Sequence, residues 1–311
     1  MIQIQQLTKK YNNKVAVDNL TMDIHQGVVT GFLGPNGAGK STTMRMIIGL
    51  ASPTKGAILI DGKPYEQLKS PLSKIGALID SDAVNPKFTA RQHLKLIATA
   101  GNLPTCKINQ MLLTTGLQTV ADKLIGEFSY GMRQRLGIAG ALMGDPETLI
   151  LDEPFNGLDV DGIKWLRKLT KDLAGKGKAV LISSHLMGEV QEIAGRVIVL
   201  AQGELIADMD MDEMSAKSLR AYIHVKTNKF QELKSALERE GAIVHIAMDG
   251  DLHVRNLGMD NIGQIACIKN IELHELSKFQ PSLEQLFSEL TKGKVDYHSD
   301  MNANVSEDKV T

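Results

Sequence analysis

Nine residues, GPNGAGKST from Gly34 to Thr42, restrict the fold of this chain more than anything else in it. They satisfy the spacing G-x-x-x-x-G-K-S/T and follow VVTGFLG, an apolar run that predicts a buried strand; STTMRMIIGL, with helical spacing, comes next. A loop that wraps a triphosphate needs converging backbone N–H groups, and glycine alone tolerates the unusual dihedrals this requires. Gly34, Gly37 and Gly39 are expected to supply that freedom, and Pro35, Asn36, Ala38 and Thr42 to complete the nucleotide-binding loop. The following helix points its positive end at the phosphates, Lys40 is expected to reach the β/γ oxygens, and the Ser41 hydroxyl to ligate Mg²⁺. A glycine-rich turn without a ligand is the bland alternative, and the strand-to-helix context argues against it.

The rest of the chain is consistent with such a core. MIQIQQL and LTMDIHQG alternate as antiparallel strands. From about Thr89 to Ile125 the spacing is mostly helical, which predicts an inserted helical subdomain. TLILDEP, GIKWLRKLTKDLAG, KAVLISSH and LMGEVQEIAG then alternate strand and helix, the pattern of a parallel sheet covered by helices. RVIVLAQGELIAD reads as a strand pair that closes this domain near Asp210. A new pattern begins beyond Met214, with strands in AYIHVKT, AIVHIAM and LHVRN and helices in FQELKSALEREG and SLEQLFSELT. The expected division is 1–212, 213–292 and a tail, 293–311, whose polar composition predicts disorder.

Composition excludes some functions. With 35 Lys+Arg against 36 Asp+Glu, no global basic field argues for nucleic acid. Cys106 and Cys267 lie far apart, so neither a disulfide framework nor a zinc site is expected. Apolar runs are all too short to span a bilayer, and the start lacks an apolar signal core. The expected location is therefore the cytoplasm.

Two carboxylates, Asp152 and Glu153, follow the apolar run TLIL and are expected at the end of a buried strand, facing the nucleotide. Asp152 suits a Mg²⁺ ligand, and Glu153 a base for the attacking water. A solvated acidic turn is the alternative for an isolated pair. Between the glycine-rich loop and this pair lies FSYGMRQRLGIAGALMG. It resembles the signature of ABC ATPases, usually written LSGGQ, with Phe128, Ser129, Tyr130, Gly131 and Met132 at its five positions. The resemblance spans roughly Ile2 to Asp210 with all motifs in the family's order.

That resemblance implies an α/β fold: a P-loop NTPase with a RecA-like parallel sheet core, an N-terminal antiparallel β subdomain, a helical subdomain at about 86–145, and a small C-terminal α/β appendage. It implies that Tyr11 stacks on adenine, that Asn156, Gly157, Leu158 and Asp159 form the loop crossing to a partner, and that His185 contacts the γ-phosphate. Ser129 and Gly131 would face ATP held by a second, homodimeric ATPase subunit. Separate integral membrane subunits complete the expected assembly, with this chain on the cytoplasmic side of the membrane.

Three positions depart from the family. Asp80 stands where a glutamine usually touches Mg²⁺ and the attacking water; the segment IGALIDSDAVNP resembles exporters of bacitracin and lantibiotic self-protection, which typically carry glutamate there. Asp80 is accordingly expected as a catalytic and metal-facing group with a shorter reach. Tyr130 replaces the first signature glycine and Met132 its glutamine, while Gly131 is retained. The function this implies is the ATP-hydrolysing subunit of an ABC exporter for a peptide antibiotic, drug or lipid-like cargo, its membrane partners docking around Asp80 and from Pro86 to Leu96. A soluble ABC-type ATPase with a non-transport role is the alternative.

Overall fold

The structure, a computed structural model, describes residues 1–217, 221–279 and 282–291; the expected tail lies outside them. Strands β1 (Ile2–Tyr11) and β2 (Lys14–Ile24) are joined at Asn12, whose φ of 51° is one that asparagine tolerates. The wholly buried β3 (Val29–Leu33) feeds the glycine-rich loop and α1 (Lys40–Ile47). Next come β4 (Lys55–Ile60), α2 (Pro71–Lys74) and β5 (Ile75–Leu78).

Helices α3 (Ala90–Ala100), α4 (Lys107–Thr114) and α5 (Tyr130–Leu142) follow, packed around Leu94, Leu112 and Leu136. A reciprocal cap starts α3: the Thr89 side chain accepts from the Gln92 N–H, and the Gln92 side chain accepts from the Thr89 N–H. The chain then alternates through β6 (Thr148–Asp152), α6 (Val160–Gly175), β7 (Ala179–Ser183), α7 (Met187–Gln191) and β8 (Arg196–Ala201). It returns in β9 (Glu204–Asp210) and continues into α8 (Met211–Lys217).

Two sheets result. The antiparallel one has the order β2-β1-β4, and the six-stranded one the order β5-β6-β7-β3-β8-β9, parallel except for its last strand. Strands β3 and β7 are buried at every position, because α1 with the antiparallel sheet covers one face and α6 the other. Since β6, β7 and β3 are neighbours, the segments after Asp152, after Ser183 and after Leu33 leave the sheet side by side at its carboxyl edge. The sequence motifs therefore meet there.

The C-terminal unit runs β10 (Tyr222–Lys226), α9 (Phe230–Arg239), β11 (Ile243–Ile246), β12 (Leu252–Arg255), α10 (Met259–Ile268) and β13 (Glu275–Phe279). Its antiparallel order β11-β12-β10-β13 is that of a split βαβ fold. Both helices cover one face, around Val225, Leu233 and Ile262. Helix α10 and strand β13 go beyond the elements expected from the sequence. Helix α11 (Leu283–Thr291) then packs on the first unit: Leu283, Leu286 and Phe287 meet Leu33, Val190 and Val199. The Leu283 N–H donates to the Gln191 side chain at 2.8 Å. Among the described residues no helix is long and apolar enough to cross a membrane.

Candidate active site

The loop between β3 and α1 lines a cavity of about 310 Å³ with Tyr11, Asn36, Gly37, Lys40, Ser41, Thr42 and Glu153 among its walls. Gly37 has a φ of 81° and Gly39 one of 103°, values that side chains resist. At Gly39 a Cβ would also stand 2.5 Å from the Ala16 carbonyl. The turn is thus drawn tight against the antiparallel sheet. Helix α1 begins without a side-chain cap and without an acidic residue in its first turn, so its positive end is not neutralised from within.

Lys40 is only 6% exposed. Its ammonium donates to the Gly34 carbonyl at 2.6 Å and the Pro35 carbonyl at 3.2 Å. Burial pulls the Lys40 pKa below its ordinary value, while the negative fields of Glu153 and Asp152 oppose that shift. A polyanion beside it would supply the missing counter-charge. Tyr11 is half exposed at the rim, with the Lys9 ammonium 4.9 Å from its ring centroid.

Glu153 follows β6 in the left-handed region, with φ 49°, a conformation that costs energy for a non-glycine residue and must be held by its surroundings. Its N–H donates to Ser183 Oγ at 2.9 Å, and Ser183 Oγ in turn donates to the Asp152 carboxylate. A single hydroxyl on β7 therefore ties both acidic residues to the neighbouring strand. The Glu153 carboxylate lies 2.7 Å from His185 Nδ1 and accepts the His185 N–H at 3.3 Å. In the neutral ring this contact assigns the proton to Nδ1, leaving Nε2 as an acceptor. Carboxylate and imidazole are thereby paired where Glu153 lines the glycine-rich cavity.

The other expected site residues lie elsewhere. Ser129 caps α5, its side chain accepting from the Met132 N–H at 3.2 Å. Ser129 and Gly131 are not among the residues lining the cavity, and neither is Asp152. Asp80 lines a separate groove with Leu78, His93 and Gly137, and its carboxylate accepts the Asp82 N–H at 2.9 Å. Lys14 and Ala16 line the cavity without having been expected there, and Ser183 was not singled out from the sequence. Only their places on β2 and β7 bring them in.

A nucleoside triphosphate fits these residues: uncompensated N–H groups, a buried lysine held only by carbonyls, and a turn that a Cβ would fill. The donors available for Mg²⁺ are the Ser41 hydroxyl and the Asp152 carboxylate, a hard-oxygen pair that leaves room for phosphate oxygens. Among the described residues no group of three or more His, Cys, Asp or Glu could hold a metal ion by itself.

Known proteins are similar to this chain in sequence and fold. Residues 17–156 match a family described as ABC transporter, and residues 221–284 match a domain of unknown function. The bacitracin transport ATP-binding protein BcrA of Bacillus licheniformis is 35% identical over 300 residues, covering 94% of this chain and 98% of that one. The lantibiotic transport ATP-binding protein SrtF of Streptococcus pyogenes is 36% identical over 212 residues, 68% of this chain and 92% of that one. A solved ATP-binding subunit of an ABC transporter superposes with a TM-score of 0.64 at 27% identity, covering 69% of this chain and 91% of that one. A dimeric ATP-binding cassette in a post-hydrolysis state, bound to ADP and Pi, gives 0.61 at 25% identity, covering 68% of this chain and 99% of that one.

Proposed function

We propose a dimeric transport motor on the premise that this chain belongs to the ABC transporter family of ATP-binding proteins. It binds and hydrolyses ATP. The observation that carries the catalytic reading is the Glu153–His185 contact of 2.7 Å at the wall of the Lys40 cavity. Glu153 is the base that takes a proton from the attacking water, and His185 holds its carboxylate in orientation. Lys40, the first N–H groups of α1 and the loop from Gly34 to Thr42 bind the phosphates; Tyr11 stacks on the base. Ser41 and Asp152 hold Mg²⁺, which when bound offsets negative charge on the phosphates.

Dimerisation explains why Ser129 and Gly131 stand outside the cavity of their own chain. The capped start of α5 presents a hydroxyl and N–H groups to an anion, and a second copy supplies that anion with its own bound ATP. Two chains thus close over two nucleotides, and hydrolysis weakens the interface by removing shared charge contacts.

The groove beside Asp80, with the exposed side chain of Leu96 on the adjoining α3, is the docking surface for separate membrane subunits. The chain then works at the cytoplasmic face of the membrane. Its assembly exports a peptide antibiotic, drug or lipid-like cargo, a reading supported by the names of its bacitracin and lantibiotic relatives. Purifying the tagged chain from its own cells in mild detergent tests this. A polytopic membrane protein is expected at near-equal stoichiometry, and Leu96→Glu should release it. Recovery of soluble partners alone would move the ATPase to a non-transport role.

A further inference from the structure

Gln134 lies inside α5, one turn beyond Tyr130, and is 2% exposed. Its amide Nε2 donates to the Tyr130 hydroxyl at 3.3 Å and to the Glu153 carbonyl at 3.4 Å, while its Oε1 has no partner. A buried amide left half satisfied costs stability, and such groups call for an explanation beyond packing. Here the explanation lies in what the amide touches. The Glu153 backbone is in the left-handed region and is held at its N–H by Ser183 and at its carbonyl by Gln134 and the Asn156 N–H. Gln134 is therefore one support of a strained peptide that carries the base.

Its other contact leads to the start of α5. The Tyr130 ring is packed so closely on Gly157 that a Cβ there would overlap it, and a Cβ on Gly131 would stand 2.7 Å from the Gly157 carbonyl. The Arg133 guanidinium lies 5.6 Å from the Tyr130 ring centroid, and it also donates to the Phe128 carbonyl and to Asp82, each at 2.7 Å. Displacement at Ser129 or Gly131 therefore carries Tyr130 with it. A glycine at this position, as in the signature usually written LSGGQ, would offer no hydroxyl to Gln134; here Tyr130 supplies one.

We propose that Tyr130 and Gln134 form a positioning pair linking the signature edge of a chain, engaged with nucleotide on its partner, to that chain's own Glu153. Hydrolysis at one site then depends on occupancy of the other. The proposal rests on the dimeric reading and on Glu153 as base.

The test is steady-state ATPase kinetics of the full chain, with nucleotide affinity measured in parallel using a fluorescent ATP analogue. Gln134→Met keeps the shape and removes the donor. It should lower kcat about tenfold, as small displacements of a catalytic group do, with affinity within about twofold of wild type and the Hill coefficient falling to one. Tyr130→Phe removes only the hydroxyl of a partly exposed ring. It should lower the Hill coefficient in the same direction with a smaller loss of kcat, and the double variant should match Gln134→Met alone.

Wild-type kcat and cooperativity in Gln134→Met, or single losses that multiply in the double variant, would overturn the pair. Should Gln134→Met not fold, an unchanged Hill coefficient in Tyr130→Phe does the same. Glu153→Gln separates the two readings: full activity there removes the base itself. An inactive Glu153→Gln beside unaffected Tyr130→Phe and Gln134→Met removes only the positioning pair. A wild-type Hill coefficient of one overturns both the coupling and its dimeric premise.

Discussion

Glu153→Gln should lower kcat for ATP hydrolysis about a thousandfold, the scale of losing a general base, while leaving ATP affinity near wild type. The substitution conserves shape, so the amide oxygen can still accept from His185 Nδ1 and the left-handed backbone is not disturbed. What is lost is the capacity to take a proton from water. On the proposed dimeric mechanism, in which closure needs ATP and reopening needs its hydrolysis, the variant should also accumulate as a closed dimer when ATP is added, read as a shift in mass by size exclusion with light scattering. Hydrolysis at the wild-type rate would remove Glu153 from the role of base. Lost hydrolysis with lost ATP affinity would instead indicate collapse of the wall of the cavity.

The parts of this site written contiguously in the chain were legible in the sequence. Gly34 to Thr42 signals itself because the dihedrals of the loop, the helix start and the lysine all belong to one short segment. TLIL and VLIS read as buried strands because a parallel sheet covered on both faces removes the polar alternation of an exposed one. Contacts set by strand order were legible only through family resemblance. Glu153 meets His185 because β6 and β7 are neighbours, and spacing along the chain does not state that.

Ser183 and Gln134 gave no signal at all. A serine at the end of an apolar strand and a glutamine in a basic helix look like ordinary residues until register and helix phase turn them toward Asp152 and Glu153. In the C-terminal unit, ELSKF is too polar to announce β13, since that strand lies at the sheet edge, paired on one side to β10. Gly263 weakens the helical signal of α10. The stack of Tyr222 between His253 and Phe279, with centroids 3.8 Å and 4.6 Å away, exists only through the pairing of three strands.

Lys40→Ala should separate binding from stability, lowering the first without lowering the second. In the protein without nucleotide the ammonium is buried against carbonyls, and burial already favours its neutral form. Removing it relieves that desolvation, and the open cavity lets water reach the Gly34 and Pro35 carbonyls in its place. The melting temperature of the nucleotide-free variant should therefore match or exceed that of wild type. ATP affinity should fall about a hundredfold, the loss expected when charge-assisted hydrogen bonds to phosphate disappear. The two effects are read together in a thermal melt with and without ATP and Mg²⁺: wild type gains stability from the ligand by mass action, and the variant should gain almost none at the same concentration. A variant less stable than wild type that keeps its full ATP-induced shift would mean that Lys40 supports the loop without binding phosphate, and the phosphate-site reading would fail with it.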